Sequence, residues 1–372
     1  MKKQIFLLLT ACLLYTATAF AQVKVNKENF PDRNFRNWIL AQEWGKSGVI
    51  SEEEIARVTR IGVYHQSISD LTGVNFFTNL QTLAVSFNYL TSLDVSNLTN
   101  LTRLQATNNQ LTSLNMSNLT SLSFLNISFN YLTSLDLSNL TNLAVLHANH
   151  NQLASIAGLA LTNLISLNVG NNQLTSLDIS NLKNLQTLWC CRNQLTSLDV
   201  SSLTDIWSLR CVDNQFISLD VSNLANLQEL YISSNRLTSL DVSMLPNLTR
   251  LFAGNNQLAL LDVSGLVNFQ TLYVWFNQLT SLGLTGFDNL RSFTGASQTI
   301  TLTLTRERRF FNRSYRVEIN LNNPQNLAEG LTYRNGVLRS RSREITSSPF
   351  SVETGREGFT LSGTLILNYD AP

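Results

Sequence analysis

Leu101-Thr-Arg-Leu104-Gln-Ala106-Thr-Asn-Asn109-Gln-Leu111-Thr-Ser-Leu114-Asn-Met116-Ser-Asn-Leu119 holds the logic of the whole chain in one pass. Leu104 and Ala106 alternate with Arg103, Gln105 and Thr107. A period of two predicts a short strand with one buried face. Asn109 ends that strand. A buried Asn has two donors and an acceptor to satisfy, and the expected partners are backbone groups of its own loop and of the next turn. The return half, Leu111 to Leu119, is too short and too rich in Ser, Thr and Asn for a helix. Leu114 and Met116 alternate there, which predicts a second short extended segment.

The same pass recurs every 21 residues. Asn88, Asn109, Asn130, Asn151, Asn172, Asn193, Asn214, Asn235, Asn256 and Asn277 are evenly spaced. So are Leu90, Leu111, Leu132, Leu153, Leu174, Leu195, Phe216, Leu237, Leu258 and Leu279. A fixed short period over this length means a solenoid. Each turn packs on its neighbours, with parallel strands about 4.8 Å apart. One turn, Leu153-Ala-Ser-Ile156-Ala-Gly158-Leu-Ala160, lacks the Asp-Val-Ser unit but keeps its length. A local change on the return side is expected there, with no break.

The pattern L-x-x-L-x-A/V-x-x-N-x-L-T-S-L-D-V-S-x-L-T-x resembles the leucine-rich repeat family. Its short form is similar to bacterial internalin-type repeats, particularly the internalin-J-like group, over residues 58–294. The resemblance implies a right-handed horseshoe with its parallel sheet on the concave side. It also implies surface-exposed, partner-binding proteins, often adhesins, and inward Cys stacks that stay as thiols.

The ends differ from the repeats. Lys2 and Lys3 precede an apolar run from Ile5 to Leu14, and Ala19-Phe20-Ala21 is a small-x-small cleavage site, so residues 1–21 read as a secretory signal. Leu9-Thr10-Ala11-Cys12 carries the letters of a lipoprotein processing site, a competing reading that leaves a shorter apolar region. Either way an exported protein, secreted or held at the cell surface, is expected. No other run is long enough to span a bilayer. A formal net charge of +1 argues against nucleic acid as a partner. Residues 22–57 read as a small helical N-terminal cap, with one helix opening at Pro31 and a second at Ser51, where Glu54 completes a capping box. Residues 43–54 look like an EF-hand loop. Glu43, Gly45 and Ser47 stand where Asp or Asn is wanted, so the loop reads as degenerate scaffold. Residues 295–372 hold alternating runs, 299–305, 315–321 and 359–369, and a hairpin signal at Asn335-Gly336. They predict a C-terminal β-sandwich, similar in position and pattern to the immunoglobulin-like domain that follows internalin repeats. Arg306, Arg308, Arg309, Arg313 and Arg316 read as a solvated loop between strands.

The outward strand positions give the candidate site. Their central column runs Gly62, Ala84, Gln105, Asn126, His147, Asn168, Trp189, Arg210, Tyr231, Phe252 and Tyr273. The flanking columns add Glu229, Arg250 and Trp275. Stacked aromatics on a solvated sheet are not needed for folding, and Trp, Tyr and Arg dominate binding hot spots. The stripe, about 20 Å long over five turns, suits a host or cell-surface protein, or a glycan. The competing reading is that the rings stabilise neighbouring strands through same-face pairs, as in a self-association or matrix-assembly module. The sequence sets no oligomeric state.

Other groupings carry less. His147 and His150 share a turn but lack further zinc ligands. Cys190 and Cys211 occupy the same inward position and should stack as small hydrophobes. Cys191 points outward and is open to reaction, though too far from any His for a nucleophilic pair. Asp94, Asp136, Asp178, Asp199, Asp220, Asp241 and Asp262 form a column on the return side, read as Asx-turn acceptors in preference to a row of bound cations. No Ser-His-Asp, metal or paired-carboxylate constellation falls on neighbouring turns. Neither an enzyme nor a cofactor is expected.

Overall fold

The computed structural model describes residues 22–279 apart from 160, and beyond them only strands between Ser281 and Asn368. The signal-like segment and the arginine cluster lie outside the described residues. Two compact units divide the chain, one holding the residues up to 135 with 139–143, the other 136–138 with everything from 144 on. Each is a stretch of parallel-sheet solenoid of the leucine-rich repeat type, with few helices.

The first unit opens with two short helices. Helix α1 (Arg33–Leu40) is capped by Asp32, whose side chain accepts from the backbone N–H groups of Asn34 and Phe35. Its other oxygen accepts from the N–H and hydroxyl of Ser69, at 2.8 and 2.9 Å, and so fastens the helix to the first repeat. Helix α2 (Glu52–Arg57) begins with the expected capping box between Ser51 and Glu54. The loop between them gives up its candidate ligands to other bonds. Lys46 pairs with Glu43, and the Glu54 carboxylate takes the N–H and hydroxyl of Ser51.

Four strands follow in this unit, Arg60–Gly62, Thr82–Ala84, Arg103–Gln105 and Phe124–Asn126, paired in parallel so that Gly62, Ala84, Gln105 and Asn126 stand side by side. The second unit repeats the scheme through Val145–His147, Ser166–Asn168, Thr187–Trp189, Ser208–Arg210, Glu229–Tyr231, Arg250–Phe252, Thr271–Tyr273 and Ser292–Thr294. Leu104, Leu188, Leu230 and their equivalents are fully buried. Each contributes roughly 1.5–3 kcal/mol by leaving water.

Return strands form in some turns. Ser92–Asp94 pairs with Ser113–Asn115 in the first unit, and Leu260–Asp262 pairs with Ser281–Thr285 in the second. The irregular turn keeps the sheet intact. Ala157 bridges to Asp136, and Gly158, at φ 76°, leaves room for the Ser138 backbone, which a Cβ would meet at 2.5 Å. Farther on, Thr301–Thr305 and Thr360–Asn368 extend the return-side row in parallel, and Ser347–Glu353 adds antiparallel to it. A single sheet therefore crosses the expected boundary after residue 294. The strands on either side of Asn335-Gly336 pair antiparallel, with Arg334 opposite Val337.

The Asn ladder departs from expectation in one respect. Asn193 Nδ2 donates to Val169 and Cys190 carbonyls at 3.0 and 3.1 Å, and its Oδ1 accepts from Leu174 N–H at 3.0 Å. Its own loop is a partner, as expected, but the other turn involved is the preceding one. The link forward is made by backbone, through Arg192 N–H to the Val212 carbonyl at 2.7 Å. Side chain and backbone thus tie each turn in opposite directions. Just before each ladder Asn the chain is left-handed, with φ between 50° and 58° from Phe87 to Phe276.

Candidate functional site

Every residue of the expected stripe lies in the second unit. The parallel register aligns Trp189, Arg210, Tyr231, Phe252 and Tyr273 as direct neighbours. At one strand spacing, planar side chains have one economical arrangement, and these adopt it. Tyr231 and Phe252 stack at 4.4 Å with planes 8° apart, and Phe252 and Tyr273 at 4.6 Å and 6°. Arg210 lies between Trp189 and Tyr231, its guanidinium carbon 4.7 Å from one ring and 4.4 Å from the other. Aromatic pairs add about 0.5–1.5 kcal/mol each, and exposed cation–π contacts about 0.5–1 kcal/mol. The column therefore stabilises the sheet whatever else it does.

The stacking also decides what the column offers outside. Ring faces are spent on one another along its length. Tyr231, Phe252 and Tyr273 are half-buried, and the Trp189 indole, 38% exposed, stands at the start.

Glu229 holds the charged half in place. Its side chain is 10% exposed, and it accepts from Arg210 Nη2 at 3.1 Å, from Arg250 Nη1 and from the Ser208 hydroxyl at 3.2 Å. Ser208 itself is buried. One carboxylate thus clamps two guanidiniums from the strands on either side of its own, and its oxygens face those partners. Glu229 orients the arginines. Arg210 Nε is buried without a hydrogen-bond partner, while Arg250 stays half exposed. Trp275 stands one column aside. It lies over Gly254, where a Cβ would come within 2.5 Å of the indole, and it meets Phe276 edge-on at 5.4 Å. Gly254 is thus the floor on which Trp275 rests.

The remaining groupings resolve simply. Burial lowers the pKa of His147; burial, then the nearby Arg192, lowers that of His150. Both favour the neutral form. Cys190 and Cys211 are buried free thiols with sulfurs 3.2 Å apart. Cys191 is a correction. Burial first, and then Cys190, push its thiol up to about 11. At neutral pH it is protonated, and the reactive outward thiol expected from alternation is not formed. The return-side Asp residues do accept from the N–H two residues on, as at Asp136 to Ser138, 2.9 Å, and Asp199 to Ser201, 2.9 Å. Among the described residues no three His, Cys, Asp or Glu side chains gather around a common point.

Two features escaped the sequence reading. Arg103 lies 3.6 Å above the Phe124 ring in the first unit, a cross-strand pair visible only once flanking columns are aligned. An exposed aromatic set also lines the strand-to-return loops of that unit, at Tyr64, Phe87, Tyr89, Phe129 and Tyr131. Its sequence signal is the twofold occurrence of Ser-Phe-Asn-Tyr-Leu, at 86–90 and 128–132.

Comparison with known proteins bears on the fold. A family described as Leucine Rich repeats (2 copies) matches residues 141–184, 162–206 and 225–268. Internalin J of Listeria monocytogenes is 38% identical over 68 residues, which is 18% of this chain and 7% of that protein. The match therefore spans a small part of that relative's length. Among solved structures, the functional domain of InlJ from Listeria monocytogenes, described as including a cysteine ladder, superposes with a TM-score of 0.60 at 23% identity, over 95% of this chain and 100% of that one. A leucine-rich repeat protein of Leptospira interrogans gives 0.52 at 30% identity, over 62% and 69%. No helix among the described residues is long and apolar enough to cross a membrane.

Proposed function

We propose, from the premise that this chain is a leucine-rich repeat protein with internalin-J-like similarity, that it is an exported binding module whose ligand docks on the stripe from Trp189 to Trp275. Leucine-rich repeat proteins of this kind are typically protein-interaction modules without enzymatic activity. The observation that carries the reading is the pre-ordered column of Trp189, Arg210, Tyr231, Phe252 and Tyr273, with both arginines locked by Glu229. Rigid aromatic edges and oriented guanidiniums are what protein hot spots use. A surface already ordered before binding loses little entropy on docking. Because ring faces are consumed within the column, a host or cell-surface protein fits it better than a sugar ring, which seeks an open face. Trp189 and Tyr273, Arg250 and Trp275 supply contact. Glu229 acts through the arginines. Residues 1–21 are read as the export signal. Residues 22–57 and 295–372 are read as the closing units of the stack, the latter as an immunoglobulin-like β-sandwich.

Substituting Trp189 or Trp275 by Ala is expected to weaken a protein ligand at least tenfold, about 1.4 kcal/mol, while Gln105→Ala leaves it unchanged. Equal affinity in all three variants refutes the assignment. The stack itself favours one second reading, in which the stripe packs against another copy. That reading predicts concentration-dependent sedimentation that vanishes in Trp275→Arg.

A further inference from the structure

The aromatic loop edge of the first unit has no place in the stripe, and its backbone makes it conspicuous. Phe87 and Phe129 sit at φ 58° and 57°. Equivalent left-handed positions elsewhere hold Asn108, Asn171, Asp213 and Asn255, the residue types that adopt this conformation most cheaply, with His150, Arg192, Ser234 and, in the second unit, Phe276 at the others. A bulky Phe there costs stability, and Phe87 and Phe129 remain 36% and 45% exposed, Phe87 with the His65 and Tyr64 rings at 4.5 and 4.9 Å. Such strain collects at sites kept for another reason. Two residues on, across the buried ladder Asn, stand Tyr89 and Tyr131, 54% and 52% exposed. The same position holds Gln110, Gln152, Gln173 and Gln194 in other turns.

We propose that this edge is a second binding site, for a neutral β-linked polysaccharide in which successive sugars alternate by a half-turn. Three properties select that occupant. The two Phe/Tyr pairs recur after 42 residues, two turns apart, which is about 9–10 Å at the strand spacing. Such a glycan presents the same sugar face after every second unit, a repeat of closely similar length. The turn between contributes Asn108 and Gln110, and an amide both donates and accepts, as vicinal hydroxyls require. No charged side chain stands at these six positions, so an anionic glycan gains nothing there. A polyproline helix repeats over a similar distance, three residues at ~3.1 Å each, but brings no donors for the amide oxygens. Tyr64, packed on Phe87 at 4.9 Å, extends the aromatic edge by one more ring.

The test is calorimetric titration of the full chain with cellohexaose and chitohexaose, beside Tyr89→Gln, Tyr131→Gln and the double variant. Gln is native to this position in other turns, so the substitutions leave the repeat intact. At least one hexasaccharide is expected to bind. Either single change should weaken it about three- to tenfold and the double change about ten- to a hundredfold, that is about 0.7–1.4 kcal/mol per ring. The corresponding disaccharide, which reaches only one pair, should bind at least tenfold more weakly. Trp189→Ala/Trp275→Ala should bind the hexasaccharide as the native chain does, which separates this site from the stripe. No binding of either hexasaccharide, equal binding by the double variant, or binding of a polyproline peptide in their place overturns the proposal.

Discussion

The two units use one repeat and place their aromatic residues differently. In the first, the outward sheet column is Gly62, Ala84, Gln105 and Asn126, and exposed rings emerge at the loop edge, at Phe87, Tyr89, Phe129 and Tyr131. In the second, the column from Trp189 to Tyr273 is stacked, while the loop edge is polar from Asn171 to Gln257 and carries one exposed ring, Phe276. Inward Leu and ladder Asn residues are common to both. The fold is carried by what the units share, which leaves the outward columns free to differ. Their difference therefore reports on binding and on surface stability, and little on folding.

The largest expected effect lies in the shared part and would break the comparison if it were unequal. Asn109→Ala and Asn214→Ala each strip a buried amide from three backbone partners or more. Each should cost roughly 2–4 kcal/mol in urea unfolding, alike in the two units. A clear cost at one and none at the other would mean the ladder is not the common support.

Next come changes confined to the second unit. Glu229→Gln loosens both guanidiniums and should destabilise by roughly 1–3 kcal/mol, since charged hydrogen bonds contribute that much when well shielded and the half-exposed arginines partly recover water. Phe252→Ala removes the middle ring of the stack and should cost roughly 1–2 kcal/mol. The corresponding Gln105→Ala in the first unit should stay within about 0.5 kcal/mol. Thermal unfolding of the three variants checks the order.

On the return side, acid should act on the second unit before the first. Asp136, Asp178, Asp199, Asp220 and Asp241 are held below the usual carboxylate range by the serine two residues on. Its hydroxyl leads at the first three, its backbone N–H at the last two. A lowered pKa in the folded chain stabilises it above the unfolded value, about 4. That contribution disappears as pH falls through the folded values. The first unit carries Asn115 at one such position. Hydrogen exchange measured from about pH 5 down to about pH 2.5 should show return segments of the second unit loosening first; uniform protection would contradict the assignment.

The smallest effect is a gain. Phe129→Asn places a left-handed-tolerant residue where φ is 57° and should add up to about 1 kcal/mol, while hexasaccharide binding falls. A loss of stability would show that packing, and no ligand, keeps Phe there.

Much of this was legible in the sequence because the period aligns every turn with every other. Strand phase, the buried Asn, the outward column, the capping box at Ser51 and the Asx bonds of the Asp row all follow from one turn applied repeatedly. What escaped depended on direction or on crowding. Alternation shows that Asn193 points inward, but not that its amide reaches back to Val169. It shows Cys191 outward, but not that neighbours bury it enough to raise its pKa. It lines up Tyr231, Phe252 and Tyr273, but not that their faces close on one another and that Glu229 turns to the arginines. The loop-edge aromatics were missed because the ladder positions were compared as Asn and Leu, and the residues between them were not.

The most direct test of the central claim is binding of the full chain to arrays of host-matrix proteins, beside a Trp189→Ala/Tyr231→Ala/Trp275→Ala variant. The account predicts a protein ligand that the native chain binds and the variant loses. Equal binding by both chains would contradict it and move the protein site off the stripe.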